Sequence, residues 1–266
     1  MASHFNHMAD RHADEILRWL SAPDASADQL DALQRRLKNT GAWFITGRQY
    51  NDWKLCPGSF IWLHGIPGCG KTILTSTVVE DVSKHCGSAT NLAVVYFYFK
   101  ADDISKKTHA GMLRSIIKQL FERRNRESPA LKKLFAARSE QQLTTDLLLK
   151  TLKEMVVEFN ETFFILDALD ECDERSALLE NLEEICGWKT ANMHILVTSR
   201  DEEDIKDSLE PICTARILIS ATLVKEDIRA YVRERLKTDK GLKRLRNQPK
   251  VQEQVENALT DKADGM

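Results

Sequence analysis

The stretch Phe60-Ile61-Trp62-Leu63-His64-Gly65-Ile66-Pro67-Gly68-Cys69-Gly70-Lys71-Thr72 decides the fold class. Four apolar residues of strand length run into a loop that matches GxxxxGK[ST], and a helix follows. Each position has a chemical task. The glycines let the backbone turn its N–H groups inward, and the helix begins with unpaired N–H groups at the positive end of its dipole. Together they cradle phosphate oxygens. Lys71 can reach the β- and γ-phosphates of a nucleotide, the Thr72 hydroxyl can ligate Mg²⁺, and Ile73 closes the binding segment 65–73.

A cradle alone hydrolyses nothing, so a carboxylate is needed at the end of a second buried strand. Phe163-Phe164-Ile165-Leu166-Asp167-Ala168-Leu169-Asp170-Glu171 supplies it. Asp167 closes an apolar run, where an unpaired carboxylate is costly unless a cation compensates it; it is expected to hold Mg²⁺ opposite Thr72. Glu171 is the expected base or water-positioning residue and Asp170 a further metal-site or orienting acid. The competing reading makes both ordinary acids at a helix N-terminus. A third apolar run, His194-Ile195-Leu196-Val197-Thr198-Ser199-Arg200, ends in an arginine whose planar fork suits the γ-phosphate. Its alternative partner is the acidic run 201–204. Thr198 can orient the attacking water or the acids of the neighbouring strand.

Outward from these three segments, strand-length apolar runs recur at 60–63, 92–99, 163–166, 194–197 and 215–219. Helical faces alternate with them: Leu113, Ile116, Ile117, Leu120 and Phe121; then Leu148, Leu152, Met155, Val156 and Phe159; then Ile228, Tyr231, Val232 and Leu236. Continuous apolar strands joined by helical crossovers predict a three-layer α/β domain of the P-loop type. Its five-stranded, mainly parallel sheet would be covered on both faces, with ligands outside the strands' carboxyl ends. Two short amphipathic helices precede it, one burying Ala13, Ile16, Leu17 and Leu20, the other Leu30, Leu33 and Leu37 behind a Ser26 cap. The expected layout is a helical segment at 1–40, a nucleotide-binding core at 41–222 and the start of a helical lid region at 223–266.

The whole chain has 266 residues, 42% hydrophobic and 29% charged, which is an ordinary globular composition and argues against disorder. A net charge of -2 gives no global electrostatic case for binding nucleic acid or an anionic membrane. That total conceals 11 basic against 5 acidic residues at 100–140, and 1 basic against 8 acidic at 167–186. These read as solvated faces or as the opposite patches of a subunit interface. Six scattered cysteines without a CxxC pair read as small buried hydrophobes in a reducing compartment. With no secretory apolar region and no run of about 18 uncharged apolar residues, a cytoplasmic protein without a membrane span is expected.

GIPGCGKT, FFILDALDEC and ILVTSR, in this order and at these separations, resemble the NACHT class of STAND P-loop nucleoside triphosphatases. The likeness is greatest to fungal NOD-like receptors of the heterokaryon-incompatibility type and to the related nephrocystin-3-like N-terminal domain. Residues 43–72 and 113–120 carry it further. The resemblance implies a Mg²⁺-dependent ATPase or GTPase that switches between a closed monomer and an open, nucleotide-dependent homo-oligomer. It also implies an effector and repeat domains that this chain does not contain. Gly47-Arg48, 17 residues before Gly65, resembles an element that contacts base or ribose in related switches, although Gln49 replaces the usual acid. The family's winged-helix domain and most of its lid would follow Lys262-Ala-Asp-Gly-Met266. A truncated chain with measurable but less regulated turnover is therefore expected.

Other functions share the phosphate loop. A nucleotide-gated interaction scaffold with little hydrolysis uses every motif above. A small-molecule kinase is disfavoured because the acid pair after Asp167 suits water as acceptor. A nucleic-acid motor is disfavoured because Phe121 and Phe135 are the sole aromatics among the basic residues of 100–140. No guanine-reading Asn-Lys-x-Asp is present, which favours ATP, while the resemblance implies GTP as well.

Overall fold

Apolar runs that cannot face water on either side must be covered twice, and the chain does this with helices before, between and after its strands. The structure, a computed structural model, describes residues 2–38, 40–188, 192–246 and 248–262. Helices α1 (Ala2–Leu20), α2 (Ser26–Arg35), α3 (Ala42–Ile45) and α4 (Arg48–Leu55) precede β1 (Phe60–His64). After the loop come α5 (Lys71–Cys86), β2 (Leu92–Tyr98), α6 (His109–Arg123), α7 (Pro129–Ala136), α8 (Thr145–Val156) and β3 (Glu161–Asp167). Then follow α9 (Arg175–Cys186), β4 (Met193–Ser199), α10 (Glu203–Leu209), β5 (Ala215–Leu218), α11 (Ala221–Thr238) and α12 (Pro249–Lys262).

All five expected strands form, and every pairing is parallel. Their order is β2-β3-β4-β1-β5, so β4 lies between the strand that feeds the phosphate loop and the strand that ends in Asp167. Leu63 pairs with Thr198 and Leu166 with Val197, which brings three strand ends to one line. Alternate residues face opposite layers. Ile61, Leu63, Phe163 and Leu196 meet Val78 and Val82 of α5 together with Phe44, Tyr50 and Trp53 of α3 and α4. Trp62, Val95, Phe97 and Val197 belong to the other core, with Ile116 and Leu120 of α6, Leu152 of α8 and Leu182 of α9. Each such side chain, fully buried, stabilises the fold by about 1.5–3 kcal/mol relative to leaving it exposed.

The face of α2 departs from the expected one. Leu30 is 57% exposed, and Asp28, Gln29 and Ala32 turn inward instead. Polar partners decide this. Asp28 receives Lys100 and Lys106, each at 2.5 Å, Gln29 donates to the Ser76 carbonyl at 2.9 Å, and the Tyr98 hydroxyl donates to Gln29. A satisfied buried network outweighs the burial of one leucine. The cap also shifts: Asp24 accepts both the Ser26 N–H (2.9 Å) and its hydroxyl (2.7 Å), and these bonds hold its carboxyl below the usual range.

Much of the basic stretch 100–140 is used inside the chain. Besides the two lysines on Asp28, Lys107 pairs with Asp173 at 2.8 Å, Arg126 with Asp14 at 2.8 Å, and Arg123 donates to the carbonyls of Leu92 and Ala89. The cysteines divide: Cys69, Cys86 and Cys172 are buried as expected, whereas Cys56 is exposed, because it follows the last turn of α4 at the surface.

His194 illustrates the cost of a buried titratable group. It is fully buried, stacks on Phe163, and donates from Nδ1 to the Trp53 carbonyl at 2.7 Å. Its Nε2 has no hydrogen-bond partner among the described residues and lies 3.9 Å from Glu161. Burial lowers the pKa of His64, His109 and His194 below the ordinary value of 6.5. Each therefore takes up its proton on unfolding, so stability is lost as pH falls below about 6.5, by at most about 1.4 kcal/mol per pH unit per histidine. The melting temperature is expected to drop between pH 7 and 5.5, and less so in His194→Gln. Equal slopes for the two proteins would remove His194 from this account.

Candidate functional site

The loop after β1 is shaped by two glycines in the left-handed region, Gly68 at φ 80° and Gly70 at φ 92°, a conformation that side-chain-bearing residues rarely adopt. Gly70 sits immediately before α5, so the first turn of that helix points its free N–H groups into the loop. Ile66, Pro67 and Gly68 are exposed and Cys69 is buried. Lys71 folds back over the loop, its ammonium donating to the carbonyls of Gly65 (2.7 Å) and Ile66 (3.0 Å), with the Cys69 sulfur at 3.8 Å. A cation held over a ring of inward N–H groups is suited to an anion with several oxygens.

Asp167, 2% exposed, ends β3 directly across β4 from this loop. Its Oδ2 accepts the Thr72 hydroxyl at 2.6 Å, and its Oδ1 accepts Thr75 at 2.8 Å and Thr198 at 2.7 Å. Thr198 in turn accepts the Ala168 N–H at 3.0 Å. Burial pushes the Asp167 carboxyl upward, opposed by the three hydroxyls and by the charge of Lys71. No ion pair to Asp167 exists among the described residues, so a buried carboxylate has hydroxyl donors but no cation in contact. Thr72 and Asp167 thus offer hard oxygens beside a phosphate cradle, a donor set that fits Mg²⁺ completed by substrate phosphates and water.

Asp170 and Glu171 follow on a short 3-10 turn, residues 169–171, after Ala168 at φ 58°. Asp170 grips Arg200 twice, at its backbone N–H (3.0 Å) and its guanidinium (2.9 Å), and its own side chain is 5% exposed. The arginine's partner is therefore Asp170 and not the run 201–204. Asp201 pairs with Arg216 (2.9 Å), and Glu202 and Asp204 both pair with Arg175 (2.6 Å each). The Glu171 carboxylate accepts the Ala101 N–H at 3.0 Å, tying the end of β3 to the loop after β2. Glu171, Asp170 and Arg200 share a small crevice at these strand ends.

Beside the loop opens a mainly apolar cavity of about 660 Å³, walled by Trp43, Gly70, Ile73, Val224, Tyr231 and Leu259 among others. Arg48 is not part of it. Its side chain is 93% exposed and pairs at 3.5 Å with Asp52 one turn along α4. The segment just before it, Gly41 and Trp43, lines the cavity instead, tied to α11 by Asp227, which accepts the Gly41 N–H at 2.7 Å. Burial raises the Asp227 carboxyl, opposed by the Gly41 N–H and by Trp43. Sequence reasoning missed Thr75, Asp227 and Trp43. A buried hydroxyl one turn past Thr72 was the available signal for the first; Asp227 had none, being 186 residues from Gly41.

A parallel sheet with a glycine-rich phosphate loop after β1 and a buried acid at the end of β3 defines an α/β domain of the P-loop type. Residues 39–200, more than half of the chain, match the family Nephrocystin 3, N-terminal, and the chain belongs to that family. The vegetative incompatibility protein HET-E-1 of Podospora anserina is 25% identical over 209 residues, which cover 74% of this chain and 15% of that protein. Among solved structures, the Aeropyrum pernix ORC1 protein in complex with DNA aligns at a TM-score of 0.44 and 16% identity, over 66% of this chain and 44% of that one. PCH-2 of C. elegans aligns at 0.33 and 15%, over 85% and 48%. No helix among the described residues is long and apolar enough to cross a membrane.

Proposed function

We propose that this domain binds a nucleoside triphosphate with Mg²⁺, hydrolyses it to diphosphate and phosphate, and serves as a nucleotide-dependent switch. One observation carries the reading: the Thr72 hydroxyl and Asp167 carboxylate meet at 2.6 Å beside a loop whose N–H groups and lysine converge. Lys71 exchanges its loop carbonyls for β- and γ-phosphate oxygens. Thr72 and Asp167 hold Mg²⁺, which when bound neutralises charge on the phosphates. Glu171 orients an in-line water and takes its proton, and Arg200 turns from Asp170 to the γ-phosphate. The apolar cavity receives base and ribose, with Trp43 as a stacking surface and the Asp227 tie linking its occupancy to α11. The likeness to HET-E-1 supports the fungal NOD-like receptor type, and in such a longer receptor we read this domain as the oligomerisation switch. Residues 1–40, 41–222 and 223–266 then form the leading helices, the nucleotide-binding core and the start of a lid.

A second reading has a specific basis. Asp170 has both of its oxygens on Arg200 and Glu171 has one of its two on the Ala101 N–H, so both acids already serve as structural acceptors that tie strand ends together. A scaffold in which binding alone signals fits that arrangement. Phosphate release by the purified chain, with ATP and GTP in direct competition, set beside its size in solution with each nucleotide, separates the two. Turnover with Mg²⁺ supports the hydrolase; a change in size on binding without phosphate release supports the scaffold.

A further inference from the structure

Three consecutive hydroxyl residues on α5, Thr75, Ser76 and Thr77, are buried, and they satisfy their hydroxyls in two different ways. Ser76 and Thr77 donate backwards to the carbonyl of Ile73, at 2.7 and 2.9 Å, the local bond that hydroxyls on helices commonly make. Thr75 does not. Its hydroxyl leaves the helix and donates to Asp167 Oδ1 at 2.8 Å, although the side chain is 0% exposed and its buried neighbours on α5 include Leu74, Val78 and Val79. The same oxygen receives Thr198 from β4 at 2.7 Å, and Thr198 is fixed in turn by the Ala168 N–H. Oδ1 is thus held from the helix on one side and the sheet on the other. That leaves Oδ2 directed at Thr72 alone.

We infer that Thr75 is a positioning residue: with Thr198 it anchors Oδ1 of Asp167, so that the carboxylate presents one defined oxygen, Oδ2, beside Thr72. The inference deepens the nucleotide and Mg²⁺ reading and rests on it. Thr75 touches neither nucleotide nor ion. Its effect is to remove the rotational freedom of a carboxylate that would otherwise offer its two oxygens in variable register, the role that outer hydrogen-bond partners play around metal ligands.

The test uses the full chain and a fluorescent, non-hydrolysable ATP analogue, with its GTP counterpart in parallel, titrated at increasing Mg²⁺ and separately in EDTA. In Thr75→Val, which keeps the branched shape and deletes the hydroxyl, the Mg²⁺ concentration for half-maximal tight binding is expected to rise roughly 10- to 100-fold. Binding in EDTA is expected to stay at the parental level, and Thr75→Ser to restore the parental Mg²⁺ dependence. Thr75→Ala is read in the same way and covers the case in which valine unfolds the chain. Parental Mg²⁺ dependence in the folded valine or alanine variant overturns the inference, as does a loss of the same size in EDTA that serine does not rescue. A parent chain that binds neither analogue with or without Mg²⁺ overturns the nucleotide reading itself, and the inference with it.

Discussion

Lys71→Ala is expected to abolish nucleotide binding while leaving the domain folded. The ammonium lies over the loop with its donors on the Gly65 and Ile66 carbonyls, where phosphate oxygens can replace them without moving the helix. A hydrogen bond to a charged group contributes about 1.5–3 kcal/mol, so losing two of them weakens affinity by roughly 10²- to 10⁴-fold. The fold itself depends little on this side chain, which is only partly buried. Equilibrium binding of a labelled nucleotide with Mg²⁺, beside a thermal melt, measures both. Parental affinity in a folded Lys71→Ala variant would place phosphate recognition outside this loop.

The second large effect separates binding from turnover. Glu171→Gln is expected to bind nucleotide within about twofold of the parent and to lose roughly 10²- to 10⁴-fold in phosphate release, the range of a general base. Glutamine suits the test because its side-chain carbonyl can still accept the Ala101 N–H that the carboxylate holds at 3.0 Å. Geometry is kept and the proton acceptor is lost. Asp170→Asn provides the contrast: Asp170 holds both the backbone and the guanidinium of Arg200, so its loss disturbs the end of β4 as well as the site. Should Glu171→Gln release phosphate at the parental rate, the base lies elsewhere.

The elements of the candidate site were legible to different depths for a physical reason. The phosphate loop is local: glycines, lysine and threonine act within eight consecutive residues, so their roles follow from spacing. Asp167 was legible because an acid ending a buried apolar run is costly without compensation. The partner of Arg200 was not. The adjacent acids at 201–204 were the obvious candidates, yet Arg216 and Arg175 occupy three of them and Asp170, on the short turn after the neighbouring strand β3, takes Arg200. Arg48 is the reverse case. A resemblance over two residues suggests it for base or ribose, whereas in the fold its side chain lies exposed against Asp52 and Gly41 and Trp43 line the cavity beside the loop. The face of α2 turned on partners from β2, α5 and the loop after β2, which apolar spacing does not record.

By itself the sequence determined the α/β class, the five strands, the faces of α6 and α8, and the glycine-rich loop after β1, because periodicity, glycine and burial of continuous apolar runs are local properties. Only the tertiary structure decided that β4 enters between β1 and β3. That single choice of strand order sets Thr198 against Asp167 and Arg200 against Asp170, and it leaves Thr75 to complete the grip from α5. Strand order is fixed by which helices can cover which faces, a contest among residues more than a hundred positions apart, and no window of the sequence contains it.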